Sequence, residues 1–166
     1  MFREKFVSRV TKISLKRDDD SGNIVSEIVL KGSITDSQLV DLGSDVLAMV
    51  EARNAGDHHV LPFKNAELDQ DYSDQVLTAF AGAVSDPEAR VRFEVKGVTV
   101  NKLKLLKSEE QPTRPDLVFN MKLPAIRSDD LIWIIGQLGH EFALKIGPAQ
   151  RELPLGDEGD EGDGEG

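Results

Sequence analysis

The chain has 166 residues, is 39% apolar and carries a net charge of −10. Six carboxylates lie between Asp157 and Glu165 with no basic residue among them, so residues 1–156 hold only −4. A body this mildly acidic excludes a general phosphate-attracting surface, which needs clustered Lys and Arg, but leaves room for a local basic patch. The absence of cysteine excludes a disulfide framework, a thiolate zinc site and a cysteine nucleophile.

A reduced, cytosolic location is the plain expectation, and a bacteriophage protein made in a bacterial cytoplasm would look the same. The opening Met-Phe-Arg-Glu-Lys-Phe-Val lacks the apolar stretch of a signal peptide, and no run is long enough to cross a bilayer. The expected organisation is one domain over 1–149, followed by a linear motif and an acidic tail over 150–166.

In chain order, residues 5–16 alternate loosely and lead into Arg17-Asp-Asp-Asp-Ser-Gly-Asn23, a cluster of turn formers that predicts a hairpin. Ile24–Leu30 is the return strand. Thr35 or Asp36 caps a predicted helix whose apolar positions Leu39, Leu42, Val46, Leu47 and Val50 share one face until Asn54-Ala-Gly56. His58–Phe63 reads as a short edge strand, consistent with its proline. Asp71–Ser85 carries Val76, Leu77, Phe80, Ala81 and Val84 at helical spacing and predicts a further helix. Arg90–Val95 alternates strictly, Val98–Leu105 continues strand-like, and Leu117, Phe119, Met121 and Leu123 place four apolar groups on one face of another strand. Ser128 is the predicted cap of a helix over 129–140 with Leu131, Ile134, Ile135 and Leu138 inward. Phe142–Ile146 makes a short final strand.

Two of these segments match earlier ones. Val10-Thr-Lys-Ile-Ser-Leu-Lys16 aligns with Val100-Asn-Lys-Leu-Lys-Leu-Leu106, and Ile34–Leu42 aligns with Ile126–Ile134. The apolar spacing Val10 to Ile13 recurs as Val100 to Leu103, and this shift of parity predicts a bulge in each strand. The expected fold is therefore α+β: a mostly antiparallel twisted sheet with helices on one face, built from two duplicated β-β-α units, about 6–53 and 96–143, with pseudo-two-fold symmetry.

The corresponding strand segments bear Lys12, Lys16 and Arg17 in the first unit and Lys102, Lys104 and Lys107 in the second. A duplicated fold would bring these to related places and form a basic stripe, the candidate nucleic-acid-binding residues; an ordinary solvated strand face with gatekeeping lysines is the alternative.

Gln150-Arg-Glu-Leu-Pro-Leu155 resembles the sliding-clamp-binding hexapeptide of bacterial replication and repair proteins, with Gln150, Leu153 and Leu155 at its three defining positions. The resemblance implies a glutamine amide held at one subsite and two apolar side chains entering a cleft on the clamp or another replication protein. The acidic run beyond it resembles the C-terminal tails of single-stranded-DNA-binding proteins, which compete with nucleic acid for a basic groove, although the usual terminal apolar or aromatic residue is missing. The second role open to residues 150–155 is to pin the chain to the body.

Other sites are thin. Adjacent His58 and His59 point to opposite faces of a strand, and His140 lacks further ligands at useful spacing, so no metal or other cofactor is expected. Asp18–Asp20 and Asp69–Asp71 lack a full calcium loop and suit turns and helix starts. No phosphate-binding glycine loop or nucleophile elbow is present. The functional expectation is a non-enzymatic accessory protein of phage or bacterial DNA replication or recombination that binds single-stranded DNA. The alternative is a phage structural or assembly protein that uses the duplicated domain as an interface, with a homo-oligomer possible.

Overall fold

The computed structural model of the protein describes residues 1–51, 64–111 and 114–149. Its elements are β1 (Phe6–Arg17), β2 (Ile24–Ser33), α1 (Asp36–Leu42), α2 (Ser44–Glu51), β3 (Asn65–Glu67), β4 (Tyr72–Ala81), β5 (Arg90–Lys107), β6 (Pro115–Leu123), α3 (Ser128–Gly136) and β7 (Glu141–Pro148).

The α+β sheet with a helical face is corrected: strands make up 53% of the chain, and six of them close into an antiparallel barrel with three short helices around it. Neighbours run β5-β4-β7-β1-β2-β6, and β6 returns to β5. β5 makes closure possible. Its 18 residues pair with β4 along Arg90–Val100 and with β6 along Thr99–Lys107, and β3 adds to its far end. Closure gives each barrel strand a partner on both sides, which removes the exposed edges that an open sheet would have had to cover with helices.

The strand–strand–helix order recurs as β1-β2-α1 and β5-β6-α3, and β2 lies beside β6 over Ser26–Ser33 and Asp116–Leu123. Each first strand has its expected irregularity. Register shifts fall between Val10 and Lys12 in β1 and between Asn101 and Lys104 in β5, where Lys102 adopts φ +54°.

The segment expected as a helix over 71–85 is instead β4. Apolar residues four apart fall on one side of a strand as well as on one side of a helix, so Val76 and Phe80 satisfy both periods. Burial separates the readings: Gln75, Leu77 and Ala79 face the interior, with Val76, Thr78 and Phe80 half-buried between them. The helix expected from Thr35 onward divides at Gly43 (φ +141°) into α1 and α2. The cap expected of Ser128 belongs to Arg127, which contributes no side-chain hydrogen bond, and α3 ends at Gly136 rather than near residue 140. The edge strand expected over 58–63 lies outside the described residues.

Side chains fill the barrel. Phe6, Leu30, Leu105, Leu117, Phe119, Leu144 and Ile146 are completely buried in one cluster, and the Phe6 and Phe119 rings lie 5.8 Å apart. Gly32 lets β1 cross close above β2, because a Cβ there would collide with the Val7 carbonyl oxygen. The interior is thus a packed core rather than a ligand chamber, and any recognition belongs to the surface. No helix of the described residues is long and apolar enough to cross a membrane.

Candidate nucleic-acid interface

Along β1, β2, β6 and the second half of β5, alternate side chains enter the core and the others face out, so four adjacent strands present one outer wall. Register sets its rows. Ser14, Glu27, Lys122 and Thr99 lie side by side across the four strands. Lys12, Val29, Asn120 and Asn101 form the next row, followed by Arg9, Lys31, Val118 and Lys104. Three strand spacings separate β1 from β5, about 14 Å along the curved sheet.

This wall is strongly one-signed. Arg9, Lys12 and Lys16 on β1, Lys31 on β2, Lys122 on β6, and Lys102 and Lys104 on β5 face only Glu27 and Asp116 on the same strands, whereas Arg17 and Lys107 follow the inward parity of Leu15 and Leu105 and stand at the two barrel ends. All seven wall cations are exposed, as are Arg17 and Lys107. Three have partners: Arg9 with Glu141 at 3.3 Å, Lys31 with Asp116 at 3.8 Å and Lys104 with Glu67 at 3.2 Å. Lys12, Lys16, Arg17, Lys102, Lys107 and Lys122 make no ion pair among the described residues. By contrast, α1, α2 and the stretch from β3 into β4 carry Asp36, Asp41, Asp45, Glu51, Glu67, Asp69, Asp71 and Asp74 with no Lys or Arg.

Of the six basic residues singled out from sequence, Lys12, Lys16, Lys102 and Lys104 therefore share one wall, because β2 and β6 lie between β1 and β5, while Arg17 and Lys107 stand at the barrel ends off that wall. The wall does not form one point of charge. Lys12 and Lys102 occupy its middle rows. Lys16 lies at one end, beside a slot of about 330 Å³ that Lys122 also lines. Beyond the other end of the wall Lys107 lines a groove of about 640 Å³, where Arg9, Lys31 and Lys64 are matched by Glu109, Glu110, Asp116 and Glu141. That groove has no net sign to draw an anion. Arg9, Lys31 and Lys122 are wall residues that sequence reasoning missed. The signal for Lys122 was present, since it alternates with Phe119, Met121 and Leu123 and so must face out.

Local hydrogen bonds account for several polar groups. The Asp18 carboxylate accepts from the Ser21 hydroxyl at 2.7 Å and from the Asp20 backbone N–H at 3.3 Å, and these bonds, the serine's foremost, hold its pKa below the ordinary value. The triplet Asp18–Asp20 thus serves the β1–β2 turn. Asn120 donates to Glu27 at 2.7 Å, which holds that carboxylate on the wall. The Tyr72 hydroxyl donates to Gln70 at 2.8 Å, and burial followed by the nearby Asp41 charge pushes its pKa up. The Ser8 and Ser26 hydroxyls and the Asn101 side-chain oxygen are buried without a hydrogen-bond partner among the described residues. No group of three His, Asp or Glu residues suited to a metal occurs among them either. His58, His59, Gln150, Leu153 and Leu155 lie outside the described residues.

The fold and site together define a class: a filled, six-stranded antiparallel barrel with one basic wall on an acidic chain. Scans against protein-family models, the curated proteins and the solved structures return no match.

Proposed function

We propose that this protein is a non-enzymatic accessory factor of phage or bacterial DNA replication or recombination, acting in the bacterial cytoplasm, and that it binds single-stranded DNA along the β1-β2-β6-β5 wall. The observation that carries this reading is the segregation of seven exposed cations against two carboxylates on the outer face of four adjacent strands of a chain with net charge −10. Phosphates would displace counterions there, and affinity would fall steeply with salt. The acidic residues 157–165 compete for the same wall, and Gln150, Leu153 and Leu155 offer a contact to a sliding clamp or another replication protein.

Fluorescence anisotropy with a labelled oligonucleotide at two salt concentrations tests the proposal. Full-length protein is expected to bind at low salt, and deletion of 156–166 to tighten binding, with the gain shrinking as salt rises. Replacing Lys12, Lys102 and Lys104 with Ala should remove the difference. No binding by either form at low salt overturns the nucleic-acid reading.

One observation favours the second reading, an assembly protein. Ile132, Ile135 and Leu138, in and just after α3, are 66%, 44% and 51% exposed, an apolar surface of the kind that marks protein contacts. Sedimentation across a concentration series would show self-association that Ile132→Lys abolishes.

A further inference from the structure

At the Lys16 end of the wall, the slot is lined by Val25, Leu123 and Pro124, with Lys16 and Lys122 among its other lining residues. Both lysines are exposed and lack ion-pair partners among the described residues. Gly97, at φ +73°, leaves the slot open beside Thr99, since a Cβ there would meet nothing within 4 Å. Glu27 also lines the slot, held by Asn120, and can accept a hydrogen bond at a ligand's polar edge. Ser26, whose buried hydroxyl has no partner among the described residues, belongs to the same lining.

Apolar lining with two cations that have no ion pair among the described residues suits a ligand that is flat and apolar in one part and anionic in another. A nucleobase with its phosphates has that character. The slot's volume, about 330 Å³, falls at the small end of ligand pockets and suits a single nucleoside. Single-strand binders ordinarily stack bases on aromatic rings, yet every outward residue in the three wall rows is non-aromatic. An aliphatic slot supplies the missing base contact.

We infer that this slot holds one unstacked base of a bound single strand, with Lys16 and Lys122 on the phosphates that flank it. The inference rests on the single-strand-binding reading. Asp18–Asp20, just beyond Arg17, repel phosphates on the hairpin side, so the strand leaves the slot toward Lys12 and Lys102. The slot therefore anchors one end of the track across the wall.

The test uses the full-length protein and an oligonucleotide carrying one diazirine-modified base. After irradiation, adducts are mapped by mass spectrometry while anisotropy measures binding in parallel. Adducts confined to 25–27, 97–99 and 122–124 are the expected result. Thr99→Trp, which fills the slot from an outward position, should abolish those adducts and weaken binding about tenfold. Lys122→Ala should reduce them without altering the melting temperature. Strand binding by anisotropy with adducts elsewhere, or unchanged by Thr99→Trp, overturns the slot and leaves the wall standing. Absence of strand binding overturns the wall and the slot together.

Discussion

α1 and α2, which follow β2, bury Gln38, Leu39, Leu42, Val46 and Val50, whereas α3, which follows β6, buries Ile134 alone. α1 is joined to the barrel by a reciprocal cap. The Gln38 N–H donates to the Thr35 hydroxyl at 3.2 Å, the Thr35 N–H donates to the Gln38 side chain at 3.0 Å, and the Gln38 amide donates to the Lys5 carbonyl at 3.0 Å. α3 is held differently. Its Trp133 meets Phe93 and Phe142 edge-on, both at 5.7 Å between ring centroids, and its Asp130 pairs with Arg92 at 3.2 Å. Leu131–Ile135 is apolar without interruption, so α3 has apolar residues on every side and too few neighbours to cover them. The comparison teaches that apolar content does not measure burial: the less apolar pair of helices is the better buried.

The largest effect that would sharpen this contrast is at Leu39, which is 1% exposed. Leu39→Ala should cost about 2–5 kcal/mol through lost burial and a residual cavity, and Ile134→Ala, at α3's one buried position, should fall in the same range. Urea denaturation measures both, and an unchanged midpoint for either would remove that residue from the core.

Caps give the next largest difference. Thr35→Ala should cost about 0.5–2 kcal/mol because it breaks a side-chain cap. Ser128→Ala should change stability by less than about 0.5 kcal/mol, because α3 begins without one. Equal losses at the two positions would contradict the difference in capping.

The Arg3–Asp41 pair ties the N-terminal segment to α1 at 2.6 Å. Burial alone would raise the Asp41 pKa, but hydrogen bonds from the Arg3 backbone N–H and guanidinium, with its charge, lower it below the ordinary value. A carboxylate lowered on folding contributes stability above its unfolded pKa, about 4, and loses it as pH falls through the folded value. Asp41→Asn should therefore be less stable than the parent at pH 7, with the gap narrowing as pH falls below about 4. A gap that does not narrow at all on acidification would show that shape or hydrogen bonding, rather than charge, sets the loss.

The smallest expected effect is Ile132→Ser. At 66% exposure it should move stability by less than about 0.5 kcal/mol in dilute solution. A loss as large as that of Ile134→Ala would mean that α3 is covered in the isolated protein.

Local signals were legible wherever one period or one turn explained the residues. The β1–β2 turn closes through Asp18 N–H to Asn23 carbonyl at 2.7 Å and Gly22 N–H to Asp18 carbonyl at 2.8 Å, as its turn formers required. The bulges near Lys12 and Lys102 were readable because an inserted residue shifts the apolar parity. β4 was not, because its apolar residues satisfy two periods at once. Of the candidate wall, Lys12, Lys16, Lys102 and Lys104 were visible as basic residues on matched segments, and Arg17 and Lys107, read with them, fall at the barrel ends instead. That the first four share one surface with Arg9, Lys31 and Lys122 depended on strand pairing that no local pattern encodes.

The sequence by itself determined the hairpin, the bulges, a helix start at Thr35 or Asp36, the inward face of β6 and the separation of an acidic segment from a mildly acidic body, because each follows from residues within a few positions of one another. Only the tertiary structure decided that the sheet closes, that β4 is a strand between β5 and β7, and that α3 remains half-uncovered. Those outcomes depend on which distant strands share hydrogen bonds. β5 can satisfy β4 along its first half and β6 along its second only because the chain brings both to its sides.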